Sequence, residues 1–404
     1  MHRLKRLYAF ALTALLLVGL TACDSGGVDE VAPLNVEVRV SFPDEYPVSE
    51  AEGATVTATN DERGDTQTAE TNAAGVAVFE ELIPGPYAFS ASLSIEGERA
   101  AELTGSSSPR TLNANLPIQN LQRGPSEAIE LQLNVTAAGT FVIKEVYYTG
   151  SETPEGDTYF RDQFIEIYNN TDERLYADGL YVASIYGASG QINPNTEPTP
   201  FQDDQEAAYA SNIWRVPGGG TDVPVEPGES IVIAQHGIDH ADDPDGNPAS
   251  PVNLGDADFE MYTGRDQDID VANVPNMERT YFTGGFYSLV PVFGPAWVLF
   301  ETDDFDSLEQ VPIPDVGFLD PRIRVPNELI IDGFEALQTP TSDNFKRLPL
   351  DVDAGFVAAS GTYTSESARR LIQREVDGRR ILKNTNNTGS DFEMISAPTP
   401  RSFD

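Results

Sequence analysis

Apolar side chains recur at every second position from Asn35 onward, and an alternation of that period admits strands with one buried face and little else. The runs are Val36, Val38 and Val40; Ala54 to Thr59; Val76 to Phe79; and Tyr87 to Ser90. Turn residues separate them at Asn60-Asp61, Asn72-Ala73-Ala74-Gly75 and Pro84-Gly85, the spacing of a small antiparallel sandwich that needs no helix. A second series begins near Phe141, where Phe141 to Tyr148 leads through a polar loop to Phe164-Ile165-Glu166-Ile167-Tyr168. It turns at Asn169-Asn170-Thr171-Asp172 and resumes at Gly179-Leu180-Tyr181-Val182. The expected fold class is all-β, with two β-sandwiches in series. The chain's one cysteine, Cys23, leaves neither a disulfide framework nor a Cys-based zinc site, so burial alone must stabilise this 404-residue chain.

The N-terminus carries an address. His2, Arg3, Lys5 and Arg6 precede a run from Leu7 to Leu20 that is apolar apart from Thr13 and Gly19, the layout of a secretory signal peptide and too short to span a bilayer. Its ending, Leu20-Thr21-Ala22-Cys23, resembles the lipobox of bacterial lipoproteins. That resemblance implies a leader over 1–22, diacylglyceryl attachment at Cys23, and a polar tether over 23–34. Two acyl chains suffice for stable attachment, at ~0.8 kcal/mol per buried methylene. The expected location is the cell envelope, on the outer membrane, at its surface or periplasmic face.

Two further resemblances give the sandwiches names. Ala54 and Val56, Asn72 and Gly75, and Pro84, Gly85 and Tyr87 resemble the pattern of the carboxypeptidase regulatory-like family, which covers roughly 35–135. That family's fold is an immunoglobulin-like or transthyretin-like sandwich, and it implies a spacer or adhesion module; Tyr87 is read as a core residue rather than a binding site. Phe164 to Asn169, Leu180, Pro227-Gly228-Glu229-Ser230-Ile231-Val232-Ile233-Ala234, and Asn386 to Phe392 with Pro398-Thr399-Pro400 resemble the lamin-tail domain, here over 136–404. The whole is similar to an uncharacterised family of bacterial lipoproteins that carries this domain behind a regulatory-like sandwich. A compact lamin tail is much shorter, so two insertions are expected, near 186–217 and 236–326. Long insertions are thermodynamically cheap and often carry function. Their aromatics, Trp214, Phe286, Tyr287 and Trp297 with Phe282 and Phe293, either form a contact surface or pack a core inside the insertion; the contact surface is the preferred assignment.

Charge narrows the partners. Lys and Arg number 25 against 65 Asp and Glu, a net −40 that loss of the leader makes more negative still. Such self-repulsion is tolerable where salt screens it, which points to a halophilic source, with a merely acidic surface protein as the alternative. Nucleic acid is excluded as a partner, because phosphate binding needs clustered cations. The expected partners are the membrane, through the lipid, and an envelope protein or glycan.

The inventory for chemistry is thin. Beyond the leader only His236 and His240 remain, and with Asp239 or Asp242 completing the set they form the one candidate zinc site; centred on His236, Asp239 and His240, it would make the chain a metal-dependent hydrolase. The zincin motif wants Glu after the first His, where Gly237 stands. Asp266, Asp268 and Asp270 alternate as calcium ligands do, yet Val271 and Met277 occupy the positions an EF-hand gives to Gly and Glu. No nucleophile elbow or phosphate loop is present in the sequence. Arg369-Arg370, Arg374, Arg379-Arg380 and Lys383 form a basic strip, read as a hairpin paired internally rather than an anion site. The expected function is a non-enzymatic binding or structural module without cofactor, the alternatives being that hydrolase and an accessory subunit of an outer-membrane transport complex.

Overall fold

The computed structural model describes residues 32–403 except 45, 61, 105–109, 123–127, 136–140, 266–267, 289 and 377. Cys23, the leader and most of the tether lie outside the described residues, as does Asp266. The described chain is nearly all β.

The first alternating series forms two facing sheets. Leu34–Ser41 pairs with Val76–Leu82 on one side and Ile129–Gln132 on the other, while Thr66–Glu70, Thr55–Asn60, Gly85–Ile95, Arg110–Leu121 and Asn134–Val135 make the second sheet in that order. Val36, Val38, Val40, Val56, Ala58, Phe79, Tyr87 and Phe89 fill the space between them. Gly75 is required at its turn: its φ is +69°, and a Cβ there would lie 2.6 Å from the Val40 carbonyl oxygen. Two features depart from a helix-free antiparallel sandwich. A short helix, Gly97–Thr104, crosses between two strands and buries Ala100, and Ile129–Gln132 pairs in parallel with Leu34–Ser41. Parallel pairing follows because that strand arrives from the other sheet, where no hairpin fixes its direction.

The second series builds a larger pair of sheets. One has the order Phe259–Glu260, Ser230–Ala234, Phe164–Asn169, Phe141–Tyr147, Ser367–Arg370, Phe392–Ile395. Facing it are Gln310–Val311, Arg322–Pro326, Ala207–Arg215, Tyr181–Ile185, Ala296–Phe300 and Ile330–Glu335, with Glu278–Phe282 also paired to Ala207–Arg215. Ile143, Ile165, Ile167, Val182, Ile231, Ile233, Leu299 and Phe334 form the core between them.

This arrangement corrects the expected insertions. The segments 186–217 and 236–326 supply Ala207–Arg215, Glu278–Phe282, Ala296–Phe300 and Arg322–Pro326, so they complete the second sheet instead of interrupting the sandwich. Trp214 and Trp297, assigned above to a contact surface, are 0% and 1% exposed. Trp214 pairs with Val182 and Trp297 with Ser184, which aligns both indoles with the core face of the sheet.

Phe141–Tyr147 and Phe164–Asn169 are buried along their whole length, on both faces. The second cover comes partly from the C-terminal segment. Thr399 donates its N–H and hydroxyl to Glu145, and Arg401 donates to Asp258 and to the Asp256 carbonyl. Replacing Trp214 by Ala should therefore lower unfolding free energy by about 3–5 kcal/mol, measured by urea denaturation, because the facing sheet cannot collapse into the hole. A contact-surface tryptophan would leave stability nearly unchanged.

Candidate functional site

The strand Ser230–Ala234 runs directly into Gln235-His236-Gly237, so His236 enters the interior rather than a solvent loop. Its Nε2 lies 2.8 Å from Asp268 Oδ1, and Asp268 Oδ2 accepts from the Thr263 N–H and hydroxyl, both at 2.6 Å. The Tyr287 ring meets the imidazole edge-on at 5.5 Å. His240 is buried as well. Its Nε2–H donates to the His236 carbonyl at 3.1 Å, which leaves Nδ1 to accept the Tyr159 hydroxyl at 2.7 Å. Burial, aided by the neighbouring His236, pushes the His240 imidazole down to about 4, so it is neutral. Burial works to raise the Asp268 carboxyl, but hydrogen bonds from His236 and Thr263 outweigh it and hold Asp268 below the usual range.

These bonds correct the zinc assignment. The helical spacing of His236 and His240 places one ring nitrogen of the second on the backbone of the first, and Asp239 turns away to accept from Asn253 at 2.6 Å. The three side chains are engaged with three separate partners. Among the calcium candidates, Asp268 serves His236 and Asp270 accepts from Asn276 at 3.0 Å. Among the described residues no group of three or more His, Cys, Asp or Glu is placed to hold a metal ion. Nearby, Glu260 accepts from the N–H groups of Gly237 and Val271, and burial raises its carboxyl to about 7. Carboxylates here tie loops together.

Of the expected contact aromatics, Phe286 alone is strongly exposed, at 59%. Tyr287 is half-buried against His236, Phe160 and Arg161; Phe282 packs on Trp214; Phe293 is half-buried. Sequence reading missed Phe318, 86% exposed, with Leu319 beside it, on the loop between Gln310–Val311 and Arg322–Pro326. The Tyr281 hydroxyl donates to the Pro321 carbonyl at 2.7 Å, which ties that loop to the strand leading into Phe286. The clue was local: Pro312-Ile313-Pro314-Asp315-Val316-Gly317 marks an exposed turn, so an apolar pair directly after it was anomalous.

The basic strip is paired internally. Arg370 reaches Asp332 at 2.6 Å, Arg369 reaches Glu393 at 3.0 Å, Arg379 donates to the Asn170 carbonyl, Arg380 lies over Phe403, and Lys383 donates to the Ser390 carbonyl. Arg374 pairs with Glu96 at 3.2 Å and, with Asn113 donating to the Asn384 carbonyl, links the two sandwiches.

Fold and site together define an all-β protein whose buried titratable groups serve mainly as internal ties. Residues 226–399 match the family described as "Protein of unknown function (DUF4876)". The chain is similar to a DUF4876 family protein from Bacteroides thetaiotaomicron VPI-5482, solved by crystallography, with 26% identity and a TM-score of 0.61 over 92% of this chain and 97% of that one. It also aligns with a fimbrial assembly protein from Parabacteroides distasonis ATCC 8503 at 9% identity and a TM-score of 0.17, covering 50% of this chain and 96% of that one. No curated protein matches.

The His240 environment sets a pH dependence. Between pH 6.5 and about 4 the unfolded chain takes up a proton that folded His240 refuses, so this contribution is complete above pH 6.5 and is lost as pH falls. Glu260 acts oppositely, losing stability as pH rises from 4.5 to about 7. Urea denaturation across that window should show a shallower acid-side loss in His240→Gln than in the wild type. An unchanged slope would place the titration elsewhere.

Proposed function

We propose that this chain is a lipid-anchored lipoprotein of the cell envelope, held by Cys23, in which a regulatory-like and a lamin-tail-like sandwich in series act as a non-enzymatic binding or structural module. The observation that carries this reading is the fate of the two histidines. An acid–base or metal mechanism would need them reachable, and both imidazoles are 0% exposed and bound within the fold. Among the exposed large apolar side chains, Phe286, Phe318 and Leu319 stand on segments tied together by Tyr281, with Phe318 the most exposed of all. Recognition by loops on a rigid β scaffold fits that distribution.

The partner is an envelope protein or glycan, and the acidic balance of the chain works against nucleic acid. The lipid supplies the membrane attachment, with the outer membrane as the proposed location. Cys23→Ser should move the protein from the membrane pellet to the soluble fraction, with a diacylglyceryl-modified N-terminal peptide present only in the wild type. Wild-type protein that stays soluble after membranes are pelleted would overturn the anchor. Phe286→Ser with Phe318→Ser should leave stability within about 0.5 kcal/mol while abolishing the cross-links that the wild type makes on intact cells.

A further inference from the structure

Lys144 and Glu166 sit on neighbouring strands, Phe141–Tyr147 and Phe164–Asn169, where a register shift brings both Lys144 and Glu145 beside Glu166. The lysine Nζ is 2.8 Å from Glu166 Oε1, and the two side chains are 1% and 0% exposed. A Phe403 ring 4.2 Å from Nζ closes the site from outside. What sets this pair apart is the asymmetry of the carboxylate. Oε1 receives Lys144 Nζ, the Ser230 hydroxyl and the Arg401 backbone N–H at 3.1 Å. Oε2, equally buried, receives nothing among the described residues.

An ionised carboxylate shares its charge between both oxygens, and leaving one of them buried without a donor is costly. The same chain shows what a satisfied buried pair looks like. Glu335 Oε1 accepts from the Arg347 N–H and Nε at 2.8 and 2.9 Å, and Oε2 accepts from Lys346 Nζ at 2.9 Å and the Leu348 N–H at 3.3 Å. Burial opposes ionisation there, but Lys346 and Arg347 outweigh it and hold Glu335 below the carboxylate range. Glu335 is built to stay charged. Glu166 has the donor pattern of a carbonyl oxygen together with a second oxygen that no described residue holds.

We propose that Lys144 and Glu166 are a covalent modification site, at which Nζ and the side-chain carboxyl condense to an isopeptide bond between the two strands. One ammonium proton passes to the carboxylate and comes to rest on Oε2, giving a neutral amine and a carboxylic acid. The Nζ lone pair attacks Cδ and forms the C–N bond, and negative charge gathers on Oε1, where the Ser230 hydroxyl and the Arg401 N–H stand as donors. A second proton from nitrogen joins Oε2, the Cδ–Oε2 bond breaks, and one water leaves. Ammonium and carboxylate thus give amide and water with no oxidant, reductant or co-reactant. Next door, burial raises the Glu145 carboxyl above its ordinary value. In a chain whose one cysteine stands at position 23, this bond would replace the disulfide the sequence cannot make.

Mass spectrometry of the denatured mature protein tests the bond without a variant. The expected result is a branched peptide joining the segments around Lys144 and Glu166, lighter by one water than the two together. Acetylation of the denatured chain should then reach the ε-amines of Lys346 and Lys383 but not of Lys144. Lys144→Met should restore the missing water. Two linear peptides with an acetylated Lys144, or a water lost at any other position, would overturn the proposal.

Discussion

The larger sandwich depends on one constraint: charges are carried into the interior and have to be met there. Arg370, 1% exposed, answers it by reaching several elements at once. Its guanidinium bonds Asp332 on the facing sheet, the Ile143 carbonyl in the adjacent strand, and the Lys383 carbonyl and Asn384 side chain on the C-terminal hairpin. Asp332 in turn accepts the Ile143 N–H at 2.6 Å. Removing either partner would strand a buried charge, a loss of about 3–5 kcal/mol, whereas the intact pair adds little net stability over an apolar replacement. Such ties fix which strand stands beside which. Glu335 does the same at one corner, holding Lys346 and Arg347, and Asp353 anchors Thr388 through two hydrogen bonds while burial raises its carboxyl to about 6.

Local pattern and long-range pairing were legible to very different degrees. Val36, Val38 and Val40, like Ile165 with Ile167 and Ile231 with Ile233, are apolar at alternate positions, and each set lies in the core that its alternation announces. Trp214 and Trp297 could not be placed the same way. Ala207-Ala208-Tyr209-Ala210 has weak strand propensity, and its membership of a sheet is decided by pairing with 181–185 and 322–326, far away in sequence. Interruption by Pro, Gly and Asp made sheet strands look like loop insertions. The histidines failed for a related reason, since an i, i+4 spacing describes a helix face and the chain here makes one hydrogen-bonded turn in which the second ring caps the first residue's carbonyl. For the basic strip, the expected internal pairing agrees with the ion pairs of Arg369, Arg370 and Arg374, although no sequence rule could have named Glu393, Asp332 and Glu96 as partners.

Surface and interior charges answer differently to salt. Arg174–Glu226 and Arg215–Glu278 are partly exposed, so screening weakens them together with the repulsion among the chain's excess carboxylates. The pairs of Arg370 and Arg347 are shielded from solvent and barely respond. Raising ionic strength therefore relieves the unfavourable surface term while leaving the framework of the fold in place, the balance that a chain with a net charge of −40 requires.

How the sheet edges end decides where another strand could be added. Phe259–Glu260 and Gln310–Val311, two of the five edge strands of the two facing sheets in the larger sandwich, are two residues long, too short to template an added strand. Ile330–Glu335, a third, is covered at its end by Val357, whose N–H donates to Glu335 and whose carbonyl accepts from Leu337. The fourth, Phe392–Ile395, carries Glu393 already paired with Arg369. Strand addition is thus blunted at these four edges, while the fifth, Glu278–Phe282, pairs with Ala207–Arg215 alone among the described strands; the outer face of the central strands is closed by Thr399 and Arg401. The exposed Phe286 and Phe318 stand on segments that Tyr281 joins through its bond to Pro321.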